Sequence, residues 1–146
     1  MASSIPAALT NLIEILTAAL PSTTQVNVGP ELPRYVAPQT LEVLGVTGDQ
    51  EWAEMSGPNY KREETYAIHL KLTAWAGDAD WTSRFQEALV LFDSVFVAVG
   101  TNPTLNNTVR LSEVGSLDLV PMLTERGSAA GFTFQVHCSQ RISSLS

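Results

Sequence analysis

Cysteine occurs once in the 146 residues, at Cys138, so no disulfide can form within the chain and no cysteine-rich zinc site can be assembled. Basic residues are scarce: eight Lys and Arg stand against fifteen Asp and Glu, for a formal net charge of −7. That is the wrong sign for a protein that grips phosphates through counterion release, so tight nucleic-acid binding is disfavoured. Charged residues of both signs make up only 16%, against ~25% in an average soluble domain, while hydrophobic residues reach 45%. The pairing excludes intrinsic disorder and leaves much uncharged surface for protein contacts. No window approaches the ~18 apolar residues of a membrane span. The nine glycines follow neither G-x-G-x-x-G nor G-x-x-x-x-G-K-[ST] order, which disfavours a nucleotide enzyme.

What is present is enough for one core. Length alone predicts one domain spanning 1–146, since domains run to ~150 residues. The opening MASSIPAALTNLIEILTAALPS lacks a basic start, and Asn11 and Glu14 interrupt its apolar run, so it reads as a helix rather than a secretory leader. The chain is expected to be soluble and made in a reducing cytoplasm.

Ile5, Leu9, Leu12, Ile13, Leu16 and Leu20 recur at three- and four-residue intervals, with Ser4 available as N-cap and Pro6 in the first turn. This predicts an amphipathic helix ending near Pro21. A short strand follows at 24–28, then an extended loop that Pro33 and Pro38 keep out of a sheet interior, then a strand at about 40–47. The polar, turn-rich run at about 48–62 reads as a long loop or hairpin arm carrying Trp52. In 65–75, Tyr66, Ile68, Leu70, Leu72 and Ala74 share one strand face. A helix from about 80 to 99 is capped by Asp78 or Asp80, and its stripe of Trp81, Phe85, Ala88, Leu89, Phe92, Val95, Phe96 and Val99 is expected to lie on that strand face. Strands at 108–114, 116–123 and 132–138 complete the chain, Pro121 placing the second toward an edge. The order α-β-β-β-α-β-β-β predicts an α+β fold, a mostly antiparallel or mixed sheet with two helices packed on one face.

No constellation stands out as catalytic. His69 and His137 fall on the polar faces of their strands; they would approach one another if those strands are neighbours, and otherwise they only face solvent. Asp78-Ala79-Asp80 opens like a calcium loop but lacks the later ligands, and helix capping accounts for it. No serine sits in a G-x-S-x-G elbow, and Cys138 cannot pair with the adjacent His137 because neighbouring strand residues point to opposite faces. Asn106-Asn107-Thr108 matches a glycosylation sequon by chance. Asp49, Glu51, Glu54, Glu63 and Glu64 gather around the central arm, either as a solvated surface or as a wall that lets a polyanion pass without sticking.

The N-terminal amphipathic helix, the TLEVLGVTGDQEWAEMSGP run, the EETYAIHLKLTAWAGDADW strand-turn-helix join, the PTL turn and the final FTFQVHC strand together resemble the tail terminator proteins of long-tailed, siphovirus-type bacteriophages, particularly those infecting actinobacteria. The likeness spans nearly the whole chain and is strongest from Val43 to Trp81. It implies a non-enzymatic virion protein of the tail neck with no cofactor and no metal. Such a subunit forms a homo-oligomeric, hexameric ring that caps the head-proximal end of the tail tube and ends tube polymerisation. Its partners would be the tail tube protein and the head-tail connector or stopper protein; DNA would pass through without specific binding, and no membrane is involved. Within that reading Trp52, Met55 and Tyr60 are candidates for a subunit or tube interface, and Glu51, Glu54, Glu63 and Glu64 for acids facing the lumen. A head-completion or tail tube protein is the structural alternative. A small ligand-binding or enzymatic α+β domain, with a pocket around His69 and His137, is the alternative of another class.

Overall fold

A computed structural model describes residues 4–21, 24–28, 39–54, 61–76, 81–124 and 127–143. Helix α1 (Ile5–Ala19) leads into β1 (Gln25–Val28), β2 (Gln39–Glu54) and β3 (Lys61–Ala76); helix α2 (Trp81–Thr101) is followed by β4 (Leu111–Thr124) and β5 (Gly127–Ser143). The strands form one mixed sheet in the order β1-β2-β3-β5-β4. β1 runs parallel to β2 and every other pairing is antiparallel. The fold is α+β, as the alternation of apolar residues predicts.

The sheet is apolar on one face because Tyr66, Ile68, Leu70 and Leu72 of β3 alternate in register with Phe134, Val136 and Cys138 of β5. Ala8, Leu12, Leu16 and Leu20 of the first helical segment and Leu91, Val95 and Val99 of α2 bury against that same face in one cluster. A smaller cluster joins Ala88 to Ala74, Ala130 and Phe132, with Phe85 and Leu89 beside it. Both helices therefore cover the same side of the sheet.

The order of elements is corrected to α-β-β-β-α-β-β. The two short strands expected at 108–114 and 116–123 are one strand, β4, whose register with β5 shifts between Gly115 and Asp118. Glycine at 115 looks like a stop in sequence, but a bulge absorbs the irregularity and both halves pair with the same neighbour. β4 occupies the edge, where Pro121 removes no interior ladder bond. β5 begins five residues earlier than the phenylalanine alternation suggests: Gly127 to Gly131, small residues with little strand preference, pair with β4, and from Ser128 onward with β3 as well.

The stripe of α2 is also rotated from expectation. Leu91 is buried while Phe96 is 57% exposed, and Phe92 is half-buried between Phe132 and Phe134 of β5, at ring-centroid distances of 6.0 and 5.6 Å. The helix crosses β5 as well as β3, so its aromatic side meets phenylalanines rather than only the aliphatic face of β3. The loop expected at 29–38 and the capping pair Asp78 and Asp80 lie outside the described residues.

Candidate functional site

The face of the sheet opposite the helices carries a set of polar side chains. Antiparallel registration builds it in rows: Asp49–Thr65–Ser139–Leu111, then Thr47–Ala67–His137–Glu113, then Gly45–His69–Gln135–Gly115. Thr47, Thr65, Leu111, Glu113, His137 and Ser139 line an open groove of about 490 Å³ there. Cross-strand partners in such rows stand about 5 Å apart at Cβ, and diagonal neighbours ~7–8 Å.

His69 and His137 are brought onto adjacent strands, one row apart. They lean in opposite directions. His69 Nε2 and Thr47 Oγ1 share a hydrogen bond of 2.8 Å toward β2. The His137 ring lies over Gly115 of β4, where a Cβ would stand 3.1 Å from its Cδ2. Among the described residues no group of three or more His, Cys, Asp or Glu could hold a metal ion.

At the upper end of this face Arg110 Nη2 reaches Glu63 Oε1 at 3.6 Å, with the arginine side chain 56% exposed. The Arg110 backbone N–H donates to the Ser139 carbonyl at 2.9 Å, which holds it beside β5 just before β4 begins. Composition and spacing did not single out Arg110, because its importance depends on the register of β5 against β3. Glu51 and Glu54 lie on β2 opposite Glu63 and Lys61, and Trp52 opposite Arg62. Met55 and Tyr60 lie outside the described residues.

Glu64 is not a solvent-facing acid. It sits on the core face at 1% exposure, where its Oε1 accepts hydrogen bonds from the Ser4 backbone N–H at 3.1 Å and from Ser4 Oγ at 2.8 Å. Strand alternation is the reason: Glu63 and Tyr66 lie on opposite faces, so Glu64 shares the face of Tyr66. Ser4 occupies the N-cap position, but its hydroxyl serves Glu64 rather than the first helical turn. With that hydroxyl proton committed, the Tyr66 O–H donates to Ser4 Oγ at 3.0 Å. Burial pushes the Tyr66 phenol up to about 12 and the neighbouring Cys138 thiol up to about 12. Neither ionises near neutrality, so Cys138 has no nucleophilic character there.

On the helical side, Val90, Phe96 and Val97 of α2 remain in solvent. A shallow depression of about 480 Å³ lies between Ala19 of α1 and Val90, Asp93, Ser94, Val97 and Ala98 of α2. No helix among the described residues is long and apolar enough to cross a membrane. In comparisons with known proteins, no family model matches this chain and no curated relative is found.

Proposed function

We propose that this chain is the tail terminator of a long-tailed bacteriophage, a structural subunit of a ring in the tail neck that stops tube growth and meets the head connector. The observation that carries the reading is the open sheet with two unlike borders. Among the described residues β1 pairs with β2 from Thr40 to Val43 on one side, and on the other β4 stands at the edge. A subunit with two different borders associates head to tail, and head-to-tail contacts close into a ring when the rotation is right. The resemblance of the Val43–Trp81 stretch to tail terminators supports the same role. So does the apolar surface at Val90, Phe96 and Val97, which assembly would cover. The ligand-binding alternative finds less support, because the groove by His137 is open and the two imidazoles diverge.

Particles assembled without this chain are expected to carry tubes of irregular length that fail to join heads. Tubes of normal length joined to heads would overturn the reading. A tail tube protein is distinguished by its product, since purified tube subunits grow without limit whereas a terminator stops at one ring.

A further inference from the structure

The solvent side of α2 carries a repeat that its own domain leaves unused. Gln86, Val90, Asp93, Val97 and Gly100 are all exposed and follow one another at intervals of four, three, four and three residues, the spacing of a heptad seam. Ala88, Leu91, Val95 and Val99 hold the opposite side of the helix in the core. Val90 and Val97 are 65% and 60% exposed, and Phe96, 57% exposed, flanks them on one side. On the other side Ser94 and Ala98 leave the depression of about 480 Å³ that reaches Ala19 of α1. Small side chains in the crease between two helices leave room for a knob from a third. A single charge sits among them. Asp93 lines the depression, and among the described residues it makes no ion pair or hydrogen bond. No Lys occurs in either helix, and the one arginine, Arg84, is bonded to Glu87 at 3.2 Å with only 13% of its side chain exposed.

We propose that this seam seats a helix of a different protein, with apolar side chains placed to meet Val90 and Val97 and a Lys or Arg placed to meet Asp93. The spacing selects a helix. One heptad rises about 10 Å along the axis, so Val90 and Val97 match the seam residues of a second helix, whereas same-face residues of a strand recur about every 6.7 Å. The charge selects a basic partner, because a contact that covers Asp93 strips away its water and is unfavourable unless a cation answers it. The same charge rejects a second copy. A two-fold contact that pairs Val90 with Val97 across two α2 helices sets Asp93 against Asp93, with no Lys on either helix and only the Glu87-bonded Arg84 to offset it. The seam is complete in one copy of the chain, so the contact holds whether or not the chain forms a ring.

The test uses the full chain and a fluorescein-labelled helical peptide of about three heptads, with Leu at the positions that meet Val90 and Val97 and Lys at the position that meets Asp93. A second peptide has Glu in place of each Lys. Fluorescence anisotropy is expected to show the Lys peptide binding at least about tenfold more tightly than the Glu peptide. Val90→Ser/Val97→Ser keeps every charge and should weaken the Lys peptide by at least about tenfold, a loss that attraction to a net charge of −7 does not explain. Asp93→Lys should reverse the preference between the peptides. All three positions are exposed, and circular dichroism with thermal melting checks that the variants fold. If the serine variant melts early, Val90→Thr/Val97→Thr, which keeps the side-chain shape, takes its place with the same two outcomes. A wild-type chain that does not bind the Lys peptide, equal binding of the two peptides, full binding by the serine variant, or an Asp93→Lys chain that keeps the wild-type preference would each overturn the contact. Sedimentation decides the remaining occupant: self-association of the wild-type chain that the serine variant abolishes would assign the seam to a second copy and overturn the proposal.

Discussion

Glu64 and Ser4, sixty positions apart in the chain, are joined by two hydrogen bonds to one carboxylate oxygen, at 3.1 Å from the backbone N–H and 2.8 Å from the hydroxyl. The pair ties the start of α1 to the middle strand of the sheet, and Tyr66 closes the cluster through Ser4 Oγ. Glu64 is fully buried and Ser4 half-buried, so removing the acceptor leaves two donors at the start of α1 with less than their full partners. An orphaned buried donor costs about 1–3 kcal/mol, and a half-buried one less. Glu64→Ala is expected to lower stability by about 1–2 kcal/mol and to speed amide exchange in the first turn of α1, whereas Glu64→Gln, which keeps an acceptor oxygen, loses less. Equal loss in the two variants would show that the hydrogen bonds are not what anchors the helix.

The rotation of α2 separates two residues that the helical stripe treats differently. Leu91 is buried in the main cluster, and Leu91→Ala should cost about 2–5 kcal/mol in denaturant unfolding. Phe96→Ala removes a ring already in solvent and should change stability by less than about 1 kcal/mol. The reverse ranking would place the other face of the helix on the sheet.

Alkaline pH should unfold the protein for an identifiable reason. Burial raises Cys138 from 9.0 to about 12 and Tyr66 from 10.0 to about 12, so the folded chain keeps protons that the unfolded chain releases. Stability is therefore full below pH 9.0 and declines as pH rises toward about 12. In Cys138→Ala the decline should begin nearer 10.0, where unfolded Tyr66 starts to ionise. A stability profile that is flat across this window would contradict the burial of both groups.

Two glycines on neighbouring stretches of sheet should respond differently to a methyl group. At Gly48 a Cβ would stand 2.6 Å from the Tyr66 Cβ and 2.8 Å from the Thr65 carbonyl oxygen, so Gly48→Ala must displace backbone at the root of the arm. Such overpacking costs about 1–3 kcal/mol. At Gly115 the nearest atoms, at 3.1 and 3.2 Å, belong to the His137 ring, which can swing away. Gly115→Ala should be close to neutral, and a melting-temperature loss as large as that of Gly48→Ala would contradict this packing.

Periodicity was sufficient to determine where the two helices lie in the chain, the apolar face of β3 and the alternation of Phe132, Phe134 and Val136, because these depend on local pattern, whereas the face that α2 buries did not follow from it. Pro121 likewise marked its strand as an edge through a missing donor. Tertiary structure alone decided the rest. Gly115 became a bulge rather than a break because β5 supplies a continuous partner on both sides of it. Glu64 left the acidic group around the arm because one step of strand alternation turned it under α1, where Ser4 waits. Arg110 met Glu63 of β3 only because a backbone bond to Ser139 holds it beside β5, which pairs with β3. Local pattern reports the environment a residue prefers, whereas the partner it meets is set by pairing between segments distant in the chain, and one residue of register moves every side chain to the other face.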